Sequence, residues 1–316
     1  MAERLMLLDT PTLYFRAYFG LPDSIKAPDG MPVNAIRGTL DFISLLVSGH
    51  RPDRLIACFD ADWRPAFRVA AIPSYKAHRV VGAATGADGA AVAGPGMAEE
   101  IPDTLSPQVP VLEEVLDAFG IARGWADDFE ADDAIAAYAA AHDGPVQVVT
   151  GDRDLFQLVD DAKGVQVLYI ARGLAKLEVV DEAALSARYA IPGRGYADFA
   201  ALRGDPSDGL PGVPGIGEKT AATLISAYGS LAGLQAAVDD PTSALKPAVR
   251  TKLVAARAYL EVAPEVVNVR ADAAVEPVDS RLPTTPADPG ALDELSKRYG
   301  LTSPVRRLQT TLAEKA

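Results

Sequence analysis

The sequence predicts an α/β fold, a mostly parallel sheet covered on both faces by helices, and three observations carry that prediction. Short apolar runs at 5–8, 55–59 and 146–149 have the length of buried strands. The first two stop on aspartates, Asp9 and Asp60, and the third leads into Thr-Gly-Asp-Arg-Asp at 150–154. Between them lie stretches with helical character, 109–119 by its apolar spacing and the Ala-rich 130–141. Strands alternating with helices make parallel sheets with both faces covered.

Taken in order, a further apolar piece runs through Trp125 before the helix at 130, and runs at 165–170 and 177–180 form a strand pair around Arg172 and Gly173. The segment 81–95 is rich in Gly, Ala and Val and reads as a mobile loop or arch. From 196 to about 259 the chain is helical, broken by the Gly/Pro cluster at 209–217. A Pro- and Asp-rich linker or surface wrap at 271–289 precedes a last helix at 291–299. The expected division is an α/β core at 1–195 with an arch at about 80–108, a helical unit at 196–270, and a linker and helix at 271–316 that return to the core. No internal repeat is visible.

Composition narrows the chemistry. The 316 residues are 49% hydrophobic, enough for a large core in roughly two domains. No run approaches the roughly 18 to 20 apolar residues of a membrane helix, and the N-terminus reaches Asp9 before a signal region develops, so a cytoplasmic location is expected. The single cysteine, Cys58, excludes an internal disulfide and a multi-thiolate zinc site. His50, His78 and His142 have no metal-ligand spacing, which leaves carboxylates as the main catalytic stock. Acids outnumber Lys and Arg by 43 to 30, a net charge of −13 that by itself argues against a nucleic-acid partner.

In an open parallel sheet, ligands gather beyond the carboxyl ends of the strands. Asp9, Asp60, Asp152 and Asp154 all follow predicted strands, Glu130, Asp132 and Asp133 open the helix after another, and Asp205 and Asp208 bracket the start of the helical unit. Nine carboxylates facing one cleft would repel strongly, and Mg²⁺ or Mn²⁺ is the natural compensation for hard oxygen ligands. Two such ions about 4 Å apart suit phosphodiester hydrolysis. Each acid also has a plainer reading. An Asp after a strand caps the next helix or makes a turn, and acids in a first turn complement the helix dipole. On an ideal helix Glu130 and Asp133 share a face while Asp132 points elsewhere. The repetition at strand ends is what favours a metal site. Two other phosphate chemistries fail on paper: Pro11 stands where a haloacid-dehalogenase-type phosphatase needs its second Asp, and Glu218 interrupts the Gly-Lys-Thr of a P-loop.

Two further segments bring in nucleic acid. The Gly/Pro stretch through Gly212, Gly215 and Gly217 leads to Lys219 and Thr220 and an apolar helical run. Glycines allow a tight turn near another surface, and the helix N-terminus, a lysine and a hydroxyl suit a phosphate. A turn between packed helices is the alternative. Arg64, Arg68, Lys76 and Arg79 then form a local basic segment with Phe67 and Tyr75 interleaved, fit to hold a phosphate and stack an unpaired base. Arg16 is a further candidate for a terminal phosphate. Such a patch can dominate binding despite the negative total.

Together these pieces resemble the 5′-nuclease (flap endonuclease) family, in particular the 5′→3′ exonuclease portion of bacterial DNA polymerase I. The matching segments are Leu-Leu-Asp at 7–9 with Arg-Ala-Tyr at 16–18, Phe-Asp-Ala at 59–61, Tyr-Lys-Ala-His-Arg at 75–79, Glu-Ala-Asp-Asp at 130–133, 150–154, and 204–208 through 220, in the family's order. The resemblance implies a twisted sheet flanked by helices and a helix-three-turn-helix DNA-binding unit. It places Asp9, Asp60, Glu130 and Asp132 on one metal with Asp133 nearby, and Asp152, Asp154 and Asp208 on a second with Asp205 adjacent. It sets Lys76 and Arg79 at the reacting phosphate, Arg16, Arg68 and Tyr75 on the substrate's 5′ side, and a K⁺ ion on hairpin carbonyls at 212–216. The chain ends where a polymerase would begin, so a stand-alone nuclease is expected. Basic residues are absent between Val80 and Thr104, which counts against a phosphate-gripping arch. The implied function is a monomeric, structure-specific 5′ nuclease, exonuclease and flap endonuclease, acting on DNA in replication and repair by a two-metal mechanism. A non-catalytic DNA-structure clamp is the second reading. A related ribonuclease is the third, and it explains the acids but not the hairpin.

Overall fold

The computed structural model describes residues 2–82, 84–85, 91–92 and 97–314. Its main sheet is built from β1 (Leu5–Asp9), β2 (Arg54–Cys58), β5 (Ala122–Gly124), β6 (Val146–Thr150), β7 (Val165–Tyr169) and β8 (Glu178–Val180), in the order β5-β2-β1-β6-β7-β8. Only the edge strand β8 runs antiparallel to its neighbour. Two short segments of the expected arch, β3 (Ala84–Thr85) and β4 (Ala91–Val92), pair antiparallel. The remaining residues of the proposed mobile arch at 81–95 lie mostly outside the described residues.

Strand residues alternate between two hydrophobic cores. Leu5, Leu7, Ile56, Cys58, Val146 and Val148 point to one face, and Met6, Leu8, Leu55, Ala57 and Val149 to the other. Met6, Leu7 and Leu8 are wholly inaccessible, and full burial of each contributes about 2 kcal/mol. This explains why the runs at 5–8 and 55–59 read as unbroken apolar stretches rather than alternating ones, while 146–149 is interrupted by Gln147.

The second face is covered by α1 (Thr10–Gly20), α2 (Asn34–His50), α4 (Gln108–Phe119), α12 (Pro289–Arg298) and α13 (Thr302–Ala313). The first face carries α5 (Ala131–Ala141), α6 (Glu182–Tyr189) and the later helices α7 (Tyr196–Arg203), α8 (Glu218–Tyr228), α9 (Leu231–Asp239), α10 (Pro247–Ala255) and α11 (Arg257–Val267). The short α3 (Ala66–Ala71) packs against α11. The helical unit thus shares one continuous core with the sheet.

The 271–289 segment stays irregular and wraps the surface. Leu55 N donates to Ser280 O at 2.7 Å, and Asp288 N to Ala118 O at 3.0 Å. The last helix predicted at 291–299 is followed by another, α13, whose Val305, Leu308 and Leu312 close the second core. Among the described residues no single helix is long and apolar enough to cross a membrane.

Chain order explains where a site can form. From β1 the chain moves outward to β2 and β5, then jumps back to the other side of β1 for β6. The strand order therefore reverses between β1 and β6, and the loops beyond their carboxyl ends part to leave a crevice.

Candidate active site

A cleft of about 770 Å³ opens at that reversal. Asp9, Asp60, Glu130, Asp132 and Asp152 line it, with Lys76, Arg79, Arg16 and Thr12. Each acid is delivered by a strand end. Asp9 closes β1 and caps α1, accepting from Thr12 N at 3.1 Å, while its other oxygen accepts from Thr150 Oγ1 at 2.6 Å. Asp9 thus both caps α1 and lines the cleft. Asp60 follows β2 and accepts from Ala131 N at 2.8 Å, at the start of α5. Asp152 follows β6, and its Oδ1 accepts from Asp154 N at 2.8 Å.

The acids are held against their own charge. Asp60 reaches solvent through the cleft mouth, but protein crowds its base; desolvation, then Glu130, pushes its carboxyl up to about 7. Desolvation also raises Asp9, Asp132 and Asp152; repulsion from Asp9, Asp152 and Glu130 adds to it for Asp132, and repulsion from Asp9 and Asp205 for Asp152. A second group adjoins the first. Asp154 is raised well above the carboxylate range by desolvation, then by Asp152, Asp208 and Asp205. Its Oδ1 is buried without a hydrogen-bond partner. Asp208 is raised by desolvation and Asp152, with Lys76 and Arg79 working against the shift. Crowded, under-satisfied hard oxygens of this kind fit divalent cations.

Glu130 is the exception. Burial disfavours its carboxylate, but Lys76 and Arg68 more than offset that and its pKa is lowered. Lys76 Nζ bonds Glu130 Oε1, and Tyr75 OH donates to Oε2 at 2.6 Å. Arg79 Nη2 meets Asp208 Oδ1 at 3.0 Å and Ser207 O at 2.7 Å. With the chain's own cations so placed, no three acids among the described residues form a ready ion cage.

Lys76 and Arg79 depend on the helical unit for their positions. Lys76 has φ 47, a left-handed conformation uncommon outside glycine and concentrated at functional sites. Its N–H donates to Asp208 O at 2.9 Å, and Ser74 Oγ donates to Gly209 O at 2.8 Å. The turn at 205–209 is thereby clamped to the basic segment.

Four expected site residues change role. Arg68, expected on DNA, is 2% exposed and spans Glu130 and Asp133. Tyr75, also expected on DNA, is buried with its hydroxyl on Glu130. Asp133, counted among metal-site acids, is fully buried, with both oxygens taken by Arg68 and by the N–H groups of Arg270 and Glu130. For this residue the helix-start reading wins, and Asp132 is the acid that faces the cleft. Gly212, expected at the DNA surface, is buried: a Cβ there would meet Arg203 C at 2.6 Å and Gly204 N at 2.5 Å. Its glycine serves a close backbone approach inside the hairpin.

Of the others, Asp205 is occupied by Arg203 and Ser207 and shapes the turn. Gly215, Gly217 and Lys219 are exposed and Thr220 half-buried, at the hairpin and the start of α8. Arg16 lines the cleft, donates to Ala171 O at 2.7 Å, and keeps a buried Nε without a partner.

Sequence reading missed the aromatic side of the cleft. Phe15 and Phe19, four residues apart on α1, stack at 6.4 Å, and Phe19 is 73% exposed; Trp63 lines the same cleft. The signal was the i, i+4 spacing of two aromatics beside Arg16. Phe67, expected to stack a base, packs on Phe129 instead.

Residues 4–190 match a family model described as "5′-3′ exonuclease, N-terminal resolvase-like domain", and residues 191–289 match "5′-3′ exonuclease, C-terminal SAM fold". The chain is 61% identical over 307 residues to a 5′-3′ exonuclease of Streptomyces coelicolor, covering 97% of this chain and 99% of that one. It is 50% identical over 321 residues to a 5′-3′ exonuclease of Mycobacterium tuberculosis, covering 99% and 98%. Its fold is similar to that of a bacteriophage T5 flap endonuclease crystallised with DNA and metal ions, at a TM-score of 0.60 and 16% identity over 99% of this chain and 98% of that one.

Proposed function

Since the chain belongs to the 5′-3′ exonuclease family, we propose that it is a structure-specific 5′ nuclease that hydrolyses DNA phosphodiesters at 5′ ends and 5′ flaps. One observation carries the reading: five carboxylates from four strand ends meet three cations, Lys76, Arg79 and Arg16, in a single open cleft. Bound divalent cations supply Lewis-acid activation of water and of the leaving oxygen. The chain's own residues do the rest. Asp9, Asp60, Asp132 and Asp152 present hard oxygens, Glu130 adds Oε1, and Asp154 and Asp208 form the neighbouring group. Oxygen donors of this type suit Mg²⁺ or Mn²⁺.

A phosphate in the cleft competes with Glu130 and Asp208 for Lys76 and Arg79, whose charges then offset the charge that develops on it. Arg16 and the Phe15–Phe19 pair flank the same space and suit a 5′ phosphate and an unpaired base. Gly215, Gly217 and Lys219 grip the duplex backbone without reading sequence. At the hairpin carbonyl of Gly215 a cation is already present: Lys252 Nζ donates to it at 2.8 Å, so a K⁺ ion there would have to share it. The protein acts as a monomer, in the cytoplasm, in DNA replication and repair.

The test is cleavage-site mapping on 5′-labelled flap, nicked and blunt duplexes, Mg²⁺ against Mn²⁺. Cuts at or near the 5′ junction are expected, and substrates left intact in both metals would overturn the proposal. An RNA flap cut as fast as its DNA counterpart would move the reading to a ribonuclease.

A further inference from the structure

Arg68 is a buried, fully bonded cation beside the cleft. A guanidinium carries five N–H donors in one plane and no acceptor. Here all five find oxygen. Nε donates to Val266 O at 3.1 Å. Nη1 donates to Glu130 Oε2 at 2.5 Å and Asp133 Oδ2 at 2.7 Å. Nη2 donates to Asp133 Oδ1 at 2.7 Å and Asn268 O at 3.4 Å.

The two carbonyls belong to the last turn and C-cap of α11, where helix carbonyls lack intrahelical partners and favour a positive charge. The carboxylates open α5, where Asp133 also accepts from Glu130 N at 3.2 Å and from Arg270 N at 2.8 Å. One buried cation therefore joins the end of the helical unit's last helix, the start of α5, and one oxygen of Glu130. The other oxygen, Oε1, is left toward Lys76 and the cleft.

We propose that Arg68 is a positioning residue that holds Glu130 by Oε2 and, through its grip on the end of α11, makes the placement of Glu130 in the cleft depend on how the helical unit docks. The inference rests on the cleft being the nuclease site. Lysine keeps the charge but offers three donors on a point, and cannot bridge two carboxylates and two carbonyls.

The test is Arg68→Lys, with Mn²⁺ binding followed by electron paramagnetic resonance without DNA, cleavage rate at saturating DNA, and duplex affinity without metal. Mn²⁺ affinity and saturated rate are expected to fall about 10- to 100-fold with duplex affinity held. A folded variant with wild-type Mn²⁺ affinity and rate per folded molecule overturns the proposal, even if its urea midpoint drops, since that is what mere structural support would give. If circular dichroism shows Arg68→Lys unfolded, Asp133→Asn carries the test: it keeps the shape and removes the charge that orients the guanidinium. The same fall in Mn²⁺ affinity is expected, and wild-type affinity refutes. Wild-type protein that cuts no DNA would sink the nuclease reading, while the Mn²⁺ titration would still decide this one.

Discussion

Gly209→Ala tests how the helical unit delivers Asp208 to the cleft. Gly209 has φ +71, and a Cβ there would stand 2.1 Å from Ser74 O, a backbone atom that cannot swing aside. The left-handed conformation alone costs a non-glycine residue about 1 kcal/mol. Relieving the overlap means parting the 205–209 turn from the basic segment. That breaks Ser74 Oγ to Gly209 O at 2.8 Å and Lys76 N to Asp208 O at 2.9 Å. At about 1 kcal/mol each, the total is about 3 kcal/mol, and Asp208 and Lys76 move apart as it is lost. Urea denaturation and flap cleavage read the two effects. The control is Gly217→Ala in the same hairpin, where an added Cβ meets nothing within 4 Å; its stability should stay within about 0.5 kcal/mol of wild type. A wild-type urea midpoint and turnover in Gly209→Ala would show that the close approach does not position Asp208.

Three other outcomes are expected. Asp152→Asn keeps an oxygen for Asp154 N but removes a charge repelled by Asp9, so the urea midpoint should not fall while cleavage drops at least about a hundredfold; retained turnover would remove Asp152 from the site. Asp60 binds its proton more tightly folded than unfolded, as do Asp9, Asp132 and Asp154; that stabilisation is complete below the unfolded carboxylate pKa and is lost as pH rises through about 7. Metal-free protein should therefore unfold at lower urea at about pH 8 than at about pH 6, and a flat profile counts against the crowded cleft. Phe19→Ala should leave stability unchanged and weaken single-stranded flap binding about tenfold, with duplex binding intact; equal loss on both would place Phe19 elsewhere.

Much of the fold follows from local pattern. The strands at 5–8 and 55–59 were legible because burial on both faces makes their residues apolar in turn and each stops on an acid; 146–149 was legible from its valines and the Thr-Gly-Asp that follows. α2 was harder to read from pattern, since Asn34, Thr39 and Ser44 are buried among its apolar residues and blur the contrast between its faces. α13 escaped because its apolar residues find their main partner across the molecule on α2.

The sequence alone determined the inventory of chemistry: acids at strand ends, a basic segment, and a Gly/Pro hairpin before a helix. Those are properties of chain order, which decides the residue that comes directly after a strand. Tertiary structure decided which of these side chains face the same space. Asp132 and Asp133 are adjacent in sequence, yet one faces the cleft and the other is sealed beneath it by Arg68. Arg68 and Arg79 are alike in sequence, yet one is buried and the other lines the cleft. The physical reason is that a buried charge is stable only where distant partners satisfy it. The carbonyls of Val266 and Asn268, 198 and 200 positions away, come within reach only when α11 packs on α3.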